Sequence, residues 1–73
     1  MKVIRTAELH EGDVYRLPEE VAELYVRSGK AWVTTQGEDI LLSTDEFAMF
    51  FPGENDILLS ALGHKTLVVE ELG

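Results

Sequence analysis

The sequence predicts an all-β domain, an antiparallel barrel or sandwich of about eight short strands, on three observations. Apolar segments recur at a spacing of about 8 to 12 residues, separated by Gly, Pro, Asn or Asp, which is the pattern of a sandwich or small barrel. A single short segment has helical character. A glycine-centred turn between two apolar runs marks a hairpin.

The candidate strands lie over 2–9, 13–17, 24–28, 31–36, 39–43, 46–51, 56–62 and 65–71. Between the second and third, Pro18-Glu19-Glu20-Val21-Ala22-Glu23 predicts one or two helical turns, with Pro at the first helical position and acids where the helix dipole favours them. At Gly29-Lys30, glycine as the first central residue supplies the positive φ of a type II′ turn. That hairpin would set Ser28 opposite Ala31, Arg27 opposite Trp32, Val26 opposite Val33 and Tyr25 opposite Thr34. Leu24, Val26, Ala31 and Val33 then share the interior face. Tyr25, Arg27 and Trp32 share the outer one, where Arg27 over the Trp32 ring would make a cation–π pair of about 0.5–1 kcal/mol.

Later segments are apolar on both faces: Phe47-Ala48-Met49-Phe50-Phe51, Ile57-Leu58-Leu59 and Leu67-Val68-Val69. Such strands need cover on both sides. Phe50, Leu58 and Val68, or the alternate set if the parity is reversed, are therefore expected to meet another subunit, together with Tyr25, Arg27 and Trp32.

The chain has 73 residues and is read as one domain, 1–73. Surface scaling for its mass gives about 12,000 Å² unfolded and about 4,500 Å² folded. Burial then contributes about 105 kcal/mol against about 110 kcal/mol of ordering entropy, so the two nearly cancel. Chains in this position are usually helped by a disulfide, a metal or a partner subunit. The sequence contains no cysteine, which removes disulfides, thiolate metal sites and thiol catalysis. A homo-oligomer, with a dimer favoured, is the expected help.

A net charge of −8, from 14 acidic against 6 basic side chains, repels a phosphate backbone and argues against nucleic acid. The acids cluster beside turn residues, as in Glu11-Gly12-Asp13 and Gly37-Glu38-Asp39, where they read as solvated loops. No run approaches the ~20 apolar residues of a membrane span, and the polar residues after Met1-Lys2-Val3-Ile4-Arg5 do not form a leader, so a cytoplasmic location without membrane contact is expected.

The run Glu23-Leu24-Tyr25-Val26-Arg27-Ser28-Gly29-Lys30-Ala31-Trp32-Val33-Thr34, with Gly37, Asp39-Ile40-Leu41-Leu42 and Asp45-Glu46-Phe47, resembles the second half of a cupin domain. More narrowly, Gly29 to Thr34 and the closing Leu59-Ser60-Ala61-Leu62 are similar to a bacterial cupin-like family known as the domain of unknown function twenty-nine-seventeen. The likeness spans residues 14 to 70 and implies a small jelly-roll-type barrel; that family name carries no activity with it. In metal-binding cupins a His-x-His and a Glu precede the hairpin glycine, and a further His follows a Pro-x-Gly-like element. Here Glu19, Glu20 and Glu23 precede Gly29 without a histidine. If Pro52-Gly53 matches the later element, the histidine position falls on Asp56.

His10 and His64 are the two histidines, both in predicted turns and without a second histidine at ligand spacing. With Asp56 and Glu23 they are the weak candidates for an improvised metal site. Ser28, Ser43 and Ser60 lack the base, acid and glycine-flanked elbow of a serine hydrolase. Thr34 and Thr35 read as strand residues. The acid pairs Glu19/Glu20, Glu38/Asp39, Asp45/Glu46 and Glu70/Glu71 would point to opposite faces of a strand, and read as solvated edge charge. No glycine spacing for phosphate is present. Trp32 and Tyr25 are candidates for packing under a loop, for a subunit interface or for a ligand platform.

No catalytic residue and no cofactor are expected. The leading expectation is a non-enzymatic cupin-like domain that self-associates through its apolar outer surface and binds an unidentified small molecule or protein. Two rivals stand beside it. One is a small metal-dependent cupin enzyme of isomerase or oxygenase type. The other is an acidic regulatory or antitoxin-like protein, from a faint likeness of Arg16-Leu17-Pro18-Glu19-Glu20-Val21 to the Leu-Pro segment of swapped-hairpin regulators; the missing basic arm argues against DNA binding.

Overall fold

Strands with one apolar face must bury it against another layer, and here two four-stranded sheets do so in a computed structural model that describes residues 2–51, 53–54 and 56–73. The strands are β1 (Val3–Leu9), β2 (Val14–Arg16), β3 (Glu23–Ser28), β4 (Ala31–Thr35), β5 (Glu38–Leu42), β6 (Phe47–Met49), β7 (Leu58–Ala61) and β8 (Leu67–Leu72). Each corresponds to one predicted segment. The described residues contain no helix, hence none long and apolar enough to cross a membrane.

One sheet runs β1-β8-β3-β6 and the other β2-β7-β4-β5, with every pairing antiparallel. Of the connections between successive strands, all but β4 to β5 cross from one sheet to the other. This winding is the jelly roll. The loops after β1, β3, β5 and β7 consequently gather at one rim of the sandwich. The β4–β5 turn, the segment 17–22, residues 50–51, 53–54 and 56–57 and the strand ends Val3 and Leu72 gather at the opposite rim.

Leu24, Val26, Ala31 and Val33 are wholly buried, as the alternation predicts, and meet Leu59, Leu67 and Val69 from the other strands in a single apolar core. The predicted pairing of β3 with β4 is not formed. β3 lies between β8 and β6, and β4 between β5 and β7. Gly29-Lys30 is thus a corner between sheets. Gly29 does adopt the positive φ of 85°, but a Cβ there would lie 2.7 Å from the Thr66 carbonyl oxygen and 3.0 Å from Leu67 Cα. The glycine admits β8 against the corner. Arg27 and Trp32 therefore stand on opposite outer faces, and the expected cation–π pair is replaced by an Arg27–Glu70 ion pair of 2.7 Å on the β3–β8 surface. A two-residue hairpin forms instead at Gln36-Gly37, between the paired residues Thr35 and Glu38.

The segment expected to be helical is a turn. The Val21 N–H bonds the Pro18 carbonyl at 3.2 Å, but the Ala22 N–H bonds Leu72 and the Ala22 carbonyl accepts from Phe50, at 2.7 and 2.9 Å. Pairing to two neighbouring segments takes the backbone groups that a helix would need. Two bulges reset the alternation. In β1 the register shifts between Val3 and Arg5, so Ile4 and Arg5 are both half-buried; in β3 it shifts between Val26 and Ser28.

Candidate functional site

Inward-facing positions of β8 are Leu67, Val69 and Glu71, since alternation places every second residue inside. Glu71 carries a carboxylate into that row and is 0% exposed. From the facing sheet, Tyr15 on β2 donates its hydroxyl to Glu71 Oε2 at 3.0 Å. Arg5, the cross-strand neighbour of Glu71 on β1, brings Nη1 to 3.4 Å from Oε1, which has no hydrogen bond. The same nitrogen lies 3.5 Å from the Tyr15 oxygen, while Nη2 holds Glu20 Oε2 at 3.1 Å. The hydrogen bond with Tyr15 is the largest cause that holds the Arg5 guanidinium pKa above its ordinary value, with the Glu71 and Glu20 charges adding to it. Glu20 is held below the usual carboxylate range, first by its own main-chain N–H and then by Arg5.

This chain of groups around the buried Glu71 departs from the expectation of Glu70/Glu71 as solvated edge charge. The usable signal was the alternation itself, which sets Glu71 on the same face as Leu67 and Val69. Glu70 does point outward, to Arg27. The interior that Glu71 enters also holds apolar side chains: Leu17, Val21, Leu24, Phe50, Ile57 and Leu59 are all buried in one cluster. Neither Glu71 nor Tyr15 lines any of three surface clefts, of about 400, 410 and 220 Å³. The arrangement ties the two sheets together across the core.

The weak metal candidates divide between the two rims. His10 and His64 share the rim where β1 ends and β8 begins. There His64 Nδ1 lies 3.1 Å from Glu11 Oε1, and His10 faces Glu8 and Thr66 at 3.6 and 3.5 Å. Asp56 is ion-paired to Arg16 at 2.8 Å, and Glu23, at the start of β3, sits between Met49 and Leu72 at the opposite rim. Among the described residues no three His, Asp or Glu side chains come together as a metal site. Pro52, part of the element compared with the cupin pattern, lies outside the described residues.

The expected interface residues are likewise separated. Trp32 and Leu58 lie on the outer face of the β2-β7-β4-β5 sheet, and Tyr25, Arg27 and Val68 on that of the other. Phe50 is on neither. It is buried in the core, and the alternate parity holds for its segment, with Phe47, Met49 and Phe51 exposed. Tyr25 donates its hydroxyl to Asp45 at 2.7 Å, which together with burial raises the phenol pKa.

One outer face is organised. Val14, Ser60, Trp32 and Leu41 are successive cross-strand partners, a row across all four strands of the second sheet. Trp32 is 43% exposed and Leu41 65%. The next row is Arg16, Leu58, Thr34 and Asp39, with opposite charges at its two ends.

No protein-family model matches the sequence, and no curated protein matches it. Among solved structures, the crystal structure of a cupin-2 domain-containing protein from Shewanella frigidimarina superposes with a TM-score of 0.64 at 12% identity, covering 99% of this chain and 78% of that one. With eight strands in two antiparallel sheets wound as a jelly roll, this chain has a cupin-type fold.

Proposed function

We propose that the protein is a non-enzymatic cupin-like module that pairs with a second copy of itself through the outer face of the β2-β7-β4-β5 sheet, and that it is a relative of the domain family twenty-nine-seventeen. The observation that carries the pairing is the row Val14–Ser60–Trp32–Leu41, uncharged across its full width on a chain of net charge −8. Elsewhere two such acidic surfaces would repel; the other sheet presents Glu8, Glu23 and Glu70.

A two-fold axis parallel to the strands and lying in the interface lays each row against its own reverse. Trp32 then meets the region of Ser60 and Trp32 of the second copy, and Val14 meets Leu41. In the next row Arg16 comes opposite Asp39, so the charges at its ends complement rather than clash. The apolar core and the division of His10 and His64 from Asp56 and Glu23 support a binding role over a metal enzyme.

Sedimentation equilibrium tests the pairing. The parent is expected to be dimeric at micromolar concentration. Trp32→Glu should weaken association at least about 30-fold, as loss of an aromatic anchor worth about 2 kcal/mol does, while its circular-dichroism spectrum stays that of the parent. Arg16→Asp should also weaken it, and Arg16→Asp with Asp39→Arg should restore it. A folded parent that stays monomeric, or a dimer indifferent to Trp32→Glu, overturns the proposal.

A further inference from the structure

The basic residues of this acidic chain are unevenly engaged. All three arginines are ion-paired: Arg5 to Glu20 and Glu71, Arg16 to Asp56, and Arg27 to Glu70. Lys30 and Lys65 form no ion pair with any described residue, yet they stand on two loops that meet at one rim, where the Leu62 N–H bonds the Lys30 carbonyl at 3.0 Å. Between these loops and the β5–β6 loop lies a cleft of about 400 Å³. Lys30, Lys65 and His64 line it with the hydroxyl residues Ser43 and Thr44, and Leu62 forms an apolar wall.

None of its lining residues is acidic, although the chain carries 14 acids. The acids on the neighbouring loops pair with groups other than the two lysines, Glu46 and Glu11 with residues of the cleft wall itself. Glu46 Oε1 accepts the Ser43 N–H at 2.7 Å, Asp45 accepts the Tyr25 hydroxyl, and Glu11 faces His64 at 3.1 Å. Thr44 is fixed by donating to the Gly29 carbonyl at 3.1 Å. The corner that Gly29 makes possible thus brings two ammonium groups without an ion-pair partner among the described residues and the Ser43 hydroxyl around one space, beside an imidazole that faces Glu11.

We propose that this rim cleft binds the oxyanion group, phosphate or carboxylate, of a small organic molecule. Lysines without a carboxylate partner and the Ser43 hydroxyl at the same wall supply the charge and donors that such a group needs, while Thr44, its proton given to the Gly29 carbonyl, shapes the wall. The volume falls within the ~300–1,000 Å³ of small-molecule sites, more than an inorganic ion fills, and Leu62 offers contact to the carbon part of the ligand. Because the lysines are exposed and the whole chain is acidic, the site is weak and salt-sensitive. It does not depend on a second copy of the chain.

Amide NMR of the full chain at constant ionic strength tests this, with inorganic phosphate, glycerol phosphate and acetate as probes and chloride as control. Saturable shifts at Lys30, Thr44 and Gly63 to Lys65 are expected, with phosphate probes and acetate ranking the two oxyanion classes. Lys30→Gln with Lys65→Gln should weaken binding at least about fivefold while the remaining resonances stay in place. Trp32→Glu should leave binding intact, which separates this site from the proposed dimer. Shifts that chloride reproduces, or binding unchanged in the double lysine variant, overturn the proposal.

Discussion

Tyr15 on β2 and Glu71 on β8 are joined by a hydrogen bond of 3.0 Å that crosses the core between the two sheets. A hydrogen bond to a charged group contributes about 1.5–3 kcal/mol, so Tyr15→Phe should lower stability by that amount. Arg5→Ala should be destabilising as well, because it strips the buried carboxylate of its counter-charge. Removing the carboxylate itself has a different sign of argument. Glu71→Leu ends the desolvation cost, leaves the half-buried Tyr15 hydroxyl able to reach water, and should come within about 1 kcal/mol of the parent. Urea midpoints of the three variants give the order; a Glu71→Leu loss larger than that of Tyr15→Phe would show the network to be a net stabiliser.

The Tyr25–Asp45 hydrogen bond sets an alkaline limit. The folded chain holds the Tyr25 proton above the ordinary phenol pKa near 10. Below that value the contribution is fully present. As pH rises from there through the raised folded pKa, the folded state retains a proton that the unfolded state has lost, and stability falls. Tyr25→Phe should therefore show a shallower loss of urea midpoint between about pH 9 and about pH 11 than the parent. An identical alkaline slope in the two proteins would mean that the hydroxyl is not held by Asp45 in solution.

Adjacent phenylalanines give the cleanest packing contrast. Phe50 is buried in the core and Phe51 is 79% exposed. Phe50→Ala should cost about 3–5 kcal/mol, whereas Phe51→Ala should stay within about 0.5 kcal/mol. Denaturation curves showing equal losses would contradict the side-chain parity of this segment.

That parity was the least legible part of the sequence, for a physical reason. Residues 47 to 51 contain no polar side chain to mark an outward face, so period-two alternation had nothing to anchor it. Strand positions were legible because apolar runs and turn residues are local signals. Pairing was not. Gly29-Lys30 satisfies the local chemistry of a two-residue turn, but whether its strands pair or diverge into different sheets is decided by β8, which is 38 positions away at Leu67 and fills the corner. Glu71 is hidden for the opposite cause: its charge masks its place in the Leu67–Val69 row, and the ion pair that makes burial tolerable comes from Arg5 at the far end of the chain.

Gly29 and Gly37 separate two reasons for needing glycine. Both have positive φ, 85° and 95°, so alanine strains the backbone at either position by about 1 kcal/mol. At Gly37 nothing lies within 4 Å of an added Cβ. At Gly29 the same atom would sit 2.7 Å from the Thr66 carbonyl oxygen, and main chain cannot swing aside as a flexible side chain can. Gly29→Ala must therefore displace the start of β8 from the corner, lifting Leu67 and Val69 from the core they share with Leu24 and Val33. Its loss of stability should exceed that of Gly37→Ala by at least about 2 kcal/mol, with hydrogen exchange accelerating first at β8 amides. Equal losses for the two glycines would mean that β8 does not press on this corner, and with it would go the reason that β3 and β4 part into separate sheets.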